Sequence, residues 1–176
     1  MEMIEKQTMA IEFYQLMKHA LREAEKGFAK GEVPVGALLT NSDGRIIAKA
    51  HNLPISRHDP TAHAEILVLR NAAGEFYKNY RLTGSTLVVT LEPCIMCIGA
   101  AIHARISRLV FGAFDPKSGA AGSIYDLPAD RHFNHRIEVI SGIMEKECSD
   151  LLQNFFRHRR EKNHVSDRRR NLIQAV

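Results

Sequence analysis

Cysteine is scarce in this chain: 176 residues contain three, Cys94, Cys97 and Cys148. A disulfide-stapled secreted fold uses more of them and in even number, so a reducing compartment is expected. No apolar run approaches the roughly 20 residues that a membrane-spanning helix requires. The opening residues, Met1-Glu2-Met3-Ile4-Glu5-Lys6, lack the basic-then-apolar order of a secretory leader. The expectation is a cytoplasmic protein with no membrane association. Internal repeats are also missing. Charge of one sign is lacking over most of the length. Seven of the 24 Lys/Arg but only two of the 20 acids fall between Arg157 and Arg170, leaving the rest close to neutral. Such a basic end reads either as a phosphate-contacting surface or as a solvated, partly disordered tail.

What is present organises as one domain, long enough to bury a core without staples. Met9, Phe13, Leu16, Ala20, Ala24 and Phe28 recur at helical spacing, with Gly31 and Pro34 at the exit. Val35–Leu39 reads as a strand that returns through the turn Asn41-Ser42-Asp43-Gly44 into a second strand, Arg45–Ala48. A polar loop through Asn52 and His58 follows. Asp59-Pro60-Thr61 offers a cap and a first-turn proline for a helix continuing through Ile66, Leu67, Leu69 and Ala73. Thr86–Leu91 is a β-branched buried strand, and Pro93 is expected to open the helix carrying two cysteines. Arg108–Gly112 and Ile137–Ile140 read as further strands. Between them lies a Gly-rich loop, Asp115–Ser123. A last helix shows Met144, Cys148, Leu151, Leu152 and Phe155 on one face. Alternating strands and helices predict α/β layers, partly parallel, with an antiparallel hairpin at the start.

Two short words carry the chemistry, His63-Ala64-Glu65 and Pro93-Cys94-Ile95-Met96-Cys97. A Cys-x-x-Cys alone fits a metal or a redox dithiol equally well. The upstream His-x-Glu favours the metal, because a redox pair has no use for it. Three ligands leave a fourth zinc position open for water, the mark of a catalytic site. A closed structural site would need a further ligand. Cys148 is the formal candidate, although it falls on an apolar helix face where cysteine behaves as a small hydrophobe. His103 lies too far along its helix to reach the same ion. On a regular helix residues two apart diverge by about 200°. His63 and Glu65 therefore address one site only if His63 lies at the helix start.

The order His-x-Glu then Pro-Cys-x-x-Cys resembles the signature of the cytidine/deoxycytidylate deaminase superfamily. Within it, four longer segments are similar to those of bacterial tRNA-specific adenosine deaminases: Arg57–Ile66, Thr90–Cys97, Val110–Lys117 and Phe155-Phe156-Arg157. The likeness runs from about Thr8 to Asn163, which would make 1–163 the deaminase domain and 164–176 a basic tail. Ile95, where many relatives carry proline, is a small departure, and the tail has no counterpart. The resemblance implies a cytidine-deaminase-like three-layer αβα sandwich around a five-stranded mixed sheet, assembled as a homodimer. It implies one zinc per subunit on His63, Cys94 and Cys97, with Glu65 as the proton shuttle. Asn52 would hydrogen-bond the flipped base, Pro34, Val35 and Ala64 would line its pocket, and Asp115, Lys117 and Phe156 would lie along the RNA. The implied substrate is the wobble adenosine of a tRNA anticodon loop, converted to inosine. Two other functions share these residues, a deaminase of free nucleobases or nucleosides and a non-catalytic zinc-stabilised RNA-binding module.

Overall fold

A computed structural model describes the backbone of residues 2–174 and the side chains of residues 11–162. The basic tail expected at 164–176, and Met9 in the first helix, lie outside the residues whose side chains are described. Helix α1 (Glu2–Ala29) buries Phe13, Leu16, Ala20 and Ala24 of the predicted stripe, adds Met17 to them, and leaves Phe28 half-buried. It stops in a Schellman arrangement. Gly31 takes φ +78°, its N–H reaches the Phe28 carbonyl, and the Glu32 N–H reaches back to Gly27.

Five strands form one sheet: β1 (Gly36–Thr40), β2 (Ile46–His51), β3 (Thr86–Leu91), β4 (Arg108–Ala113) and β5 (Glu138–Ile140), in spatial order β2-β1-β3-β4-β5. β1 pairs antiparallel with both β2 and β3, whereas β3–β4 and β4–β5 are parallel. The sheet is therefore mixed, as expected. The hairpin closes where predicted, with Asn41 Oδ1 accepting the Asp43 and Arg45 N–H groups. Strand alternation divides the core into two layers. Leu38, Val88 and Val110 point to α1 and to α5 (Glu145–Gln174), with Cys148 among them. Leu39, Leu87, Val89, Leu109 and Phe111 point to the opposite face, against α3 (Ala64–Asn71) and α4 (Ile95–Ala104). Among the described residues no helix is long and apolar enough to cross a membrane.

Three expectations need correction. The segment read as a polar loop contains a short helix, α2 (Pro54–Arg57). α3 begins at Ala64 with His63 as its N-cap, several residues after Asp59-Pro60. The reason is local: Asp59 Oδ1 accepts the Thr61 N–H at 2.8 Å and the Thr61 hydroxyl at 2.7 Å, closing a turn instead of capping a helix. Likewise α4 begins after Cys94, and Pro93 stays outside it with its carbonyl accepting the Ala120 N–H. Beyond Asn71 the chain winds on as a wider π-helical segment, Ala72–Tyr77.

One close approach sets the distance between α1 and the sheet. A Cβ on Gly36 would lie 2.1 Å from the Ala20 carbonyl oxygen and 2.4 Å from the Ala24 nitrogen, both backbone atoms. Gly36→Ala should therefore lift α1 and cost about 3 kcal/mol, the upper end for overpacking. Urea denaturation measures it. Gly74→Ala, with nothing within 4 Å of the added carbon, should change stability by less than about 0.5 kcal/mol.

Candidate metal centre and active site

The N-termini of α3 and α4 converge on one face of the sheet, and each presents its N-cap residue to the other. His63 has extended backbone (φ −69°, ψ 150°), so it stands off the helix that Glu65 occupies. That resolves the angular conflict between residues two apart. Cys94 is likewise extended (φ −75°, ψ 173°), and Cys97 lies in the first turn of α4. His63 Nδ1 is 3.8 Å from Cys94 Sγ and 3.5 Å from Cys97 Sγ, and the two sulfurs are 3.8 Å apart. Tetrahedral zinc, with bonds of about 2.3 Å to sulfur and about 2.0 Å to nitrogen, needs ligand edges of about 3.8 Å (S···S) and about 3.5 Å (S···N). The triangle therefore fits zinc, and it forms the one three-ligand group among the described residues.

Electrostatics agree with the donor set. The contact between the Cys94 and Cys97 sulfurs, with desolvation opposing it and His63 assisting, draws the Cys94 thiol down to about 4. The same contact and burial hold Cys97 well above the ordinary thiol value. The positive ends of two helices favour thiolate at the same place. His63 is raised, first by its bond to Cys94. Glu65 is 3% exposed, and burial pushes its carboxyl above the usual range. Its Oε2 has no hydrogen-bond partner, an orphaned buried oxygen beside three metal-type ligands. A buried polar atom without a partner is costly to stability and calls for a reason.

Asn52 is 7% exposed, and its Oδ1 accepts the Ala64 N–H at 2.9 Å. Only the oxygen can accept, so Nδ2 is turned the other way and has no protein partner among the described residues. The same bond satisfies the first amide of α3. Pro34 and Val35 are buried at the entrance of β1, and the Val35 carbonyl accepts the Asn52 N–H. Lys117 and Phe156 meet in a neighbouring cavity of about 500 Å³, with Val33 and Phe114. Asp115 lines it too, but its carboxylate is turned onto its own loop, accepting from the Lys117 and Ser118 amides. His103 is exposed on the α3–α4 groove, and the Cys148 sulfur packs on Gly112 across the sheet, so neither joins the ligand triangle.

Sequence reasoning missed two buried carboxylates that hold the loops on either side. Glu32 is 1% exposed and accepts the Ile55 and Ser56 amides and the Ser56 hydroxyl, fixing α2 just before His63. Burial pushes its pKa up, but those donors outweigh it and leave it below the ordinary value. Glu92 holds the loop after β4, accepting the Asp115 and Ala121 amides. Most of their partners are main-chain amides, so no residue pattern marks either role.

Residues 12–113 match the cytidine and deoxycytidylate deaminase zinc-binding region. A tRNA-specific adenosine deaminase of Haemophilus influenzae is 52% identical over 86% of this chain and 87% of its own. One from Bacillus subtilis is 48% identical over 90% and 96%. A solved structure from work on A-to-I editing by tRNA:A34 deaminases at the wobble position superposes with a TM-score of 0.74 at 44% identity, covering 78% of this chain and 98% of that one. A guanine deaminase from Nitrosomonas europaea shares the fold at 25% identity, with a TM-score of 0.68 over 81% of this chain and 83% of its own. With the ligand triangle, the buried carboxylate and the mixed sheet in place, the chain belongs to the cytidine and deoxycytidylate deaminase zinc-binding family, among the tRNA-specific adenosine deaminases.

Proposed function

We propose that the protein hydrolyses the wobble adenosine of a tRNA anticodon to inosine, water entering and ammonia leaving. The observation that carries the chemistry is the orphaned Glu65 oxygen beside His63, Cys94 and Cys97. Those three would hold one zinc per subunit. Zinc in such a set supplies a water whose pKa is lowered to about 7, and hence a nucleophile at neutral pH. Glu65 takes one proton of the attacking water and passes it to the ring nitrogen of the base. It then takes the remaining proton of the added hydroxyl and gives it to the departing amine, so that both water protons are accounted for and the carboxylate is restored. Its burial keeps the carboxyl's affinity for that proton high. Asn52 Nδ2, aimed away from Ala64, donates to an acceptor on the base, while Pro34, Val35 and Ala64 wall the pocket.

A base must leave its stack to enter, which costs a few kcal/mol and is cheapest in an exposed loop. Lys117, Phe156, Arg157 and Arg160 line one cavity beside the site, a cationic rim with an aromatic face suited to flanking nucleotides. The basic composition of 164–176 suits further phosphate contacts. An open apolar groove between α3 and α4, with Ile66, Leu69, Ala73 and Ala100, supports association with a second copy. A cytoplasmic location fits a tRNA substrate.

Incubation with total tRNA should yield inosine at the wobble position. Turnover of free nucleobases, with tRNA left untouched, would overturn the reading. Replacing Arg157 and Arg160 together by Ala should reduce the slope of log affinity against log salt by about 1.4, at about 0.7 per lost phosphate contact. An unchanged slope in a salt titration would take both arginines off the RNA path.

A further inference from the structure

We infer that Glu92 is a positioning residue that pins the 115–123 loop to the metal-bearing end of α4 before RNA arrives. Glu92 follows β3 and is 2% exposed. Its Oε1 accepts the Ala121 and Ser123 N–H groups, each at 3.0 Å. Its Oε2 accepts the Asp115 N–H at 3.0 Å and the Ser123 hydroxyl. All four donors belong to one loop, and the acceptor stands two positions before Cys94. Two main-chain links tie the same pieces: Ala120 N–H to the Pro93 carbonyl at 2.9 Å, and an antiparallel bridge between Gly119 and Cys94. The fit leaves no slack. A Cβ on Gly119 would lie 2.4 Å from the Glu92 carboxyl carbon and 2.6 Å from the Asp115 carbonyl oxygen.

Of the loop's nine residues only Gly119, Ala120 and Ala121 are buried, so it is ordered by hydrogen bonds rather than by apolar packing, and Glu92 accepts four of them. Ordering it at the moment of binding would subtract conformational entropy from affinity. Holding it in advance on one buried carboxylate removes that loss, and the carboxylate's place beside Cys94 fixes the loop relative to the reacting centre. The step from loop order to substrate binding rests on the proposed tRNA reading, through Asp115 and Lys117. The loop order itself does not.

Glu92→Gln sets an amide N–H₂ against donors that need an acceptor. Hydrogen bonds to a charged group are each worth about one to two powers of ten in an equilibrium. On an anticodon stem-loop, KM should rise about 10- to 100-fold, with kcat within about threefold of the parent and zinc content unchanged. Amide hydrogen exchange at Asp115, Ala121 and Ser123 should accelerate by a similar factor, while that at Cys97 and Ile98 stays as it was. Ser123→Ala, which removes only the hydroxyl donor, should shift the same readouts by less, with folding intact. Unchanged exchange at the three amides, a fall in kcat at constant KM, or loss of zinc would each overturn the inference. A parent protein that leaves tRNA unmodified refutes the proposed function, while the exchange measurement still decides the role of Glu92.

Discussion

Glu65→Gln should cut inosine formation by roughly 10²- to 10⁴-fold, the usual worth of a positioned general acid–base, while zinc stays bound. The substitution keeps the shape of the side chain and removes only its ability to accept and return a proton. His63, Cys94 and Cys97 take their spacing from the ends of α3 and α4, so the ligand triangle should survive the substitution. Stability should not fall with activity. A buried carboxyl with one orphaned oxygen is a strained element in the fold, so neutralising it should leave the thermal midpoint within a few degrees of the parent. Three measurements on one preparation decide: zinc by elemental analysis, midpoint by thermal melt, inosine by nucleoside chromatography. Near-normal turnover would move the proton transfer to another group. Loss of zinc would recast Glu65 as a support of the metal site.

β3 was readable because its buried run, Thr86–Leu91, is β-branched, and the β1–β2 hairpin because Asn41–Gly44 is an unmistakable turn. The metal triangle was readable because the chemistry needs particular residue types at short spacing. Helix starts were not. His63 and Cys94 occupy N-cap positions without making side-chain capping bonds, and the first amide of α3 is satisfied by Asn52, twelve positions upstream. Asp59-Pro60-Thr61 carries every local sign of a cap, yet Asp59 is already committed to Thr61. A cap supplied across the fold leaves no trace in a local window, and a local cap used elsewhere leaves a false one. Glu32 and Glu92 escaped for the same reason. Each is an isolated acid whose partners are mostly amides, and every residue but proline carries one of those. The sequence therefore exposed the groups that react, and concealed those that hold them in place.

Cys97→Ser should abolish zinc retention and, with it, activity. Of the two sulfurs, Cys97 is the fully enclosed one, 0% exposed, and it lies 3.5 Å from His63 Nδ1 and 3.8 Å from Cys94 Sγ. Serine at that position cannot replace it, because a hydroxyl does not ionise as a thiol does beside two helix N-termini. Outer-shell changes around metals cost 10- to 100-fold in affinity, so loss of one of three direct ligands should exceed about 100-fold. Stability should drop as well. A metal that binds only the folded state contributes about 4.1 kcal/mol when present at about 1,000 times its dissociation constant, and the variant forfeits that term. Chelation of the parent protein should lower its melting midpoint towards that of Cys97→Ser, and chelator should leave the variant's own midpoint unmoved. A Cys97→Ser protein that kept stoichiometric zinc and turned over tRNA would remove Cys97 from the ligand set. Paired with Glu65→Gln, the result separates the two functions of the centre: one substitution loses the proton path with zinc in place, the other loses zinc with the carboxylate in place.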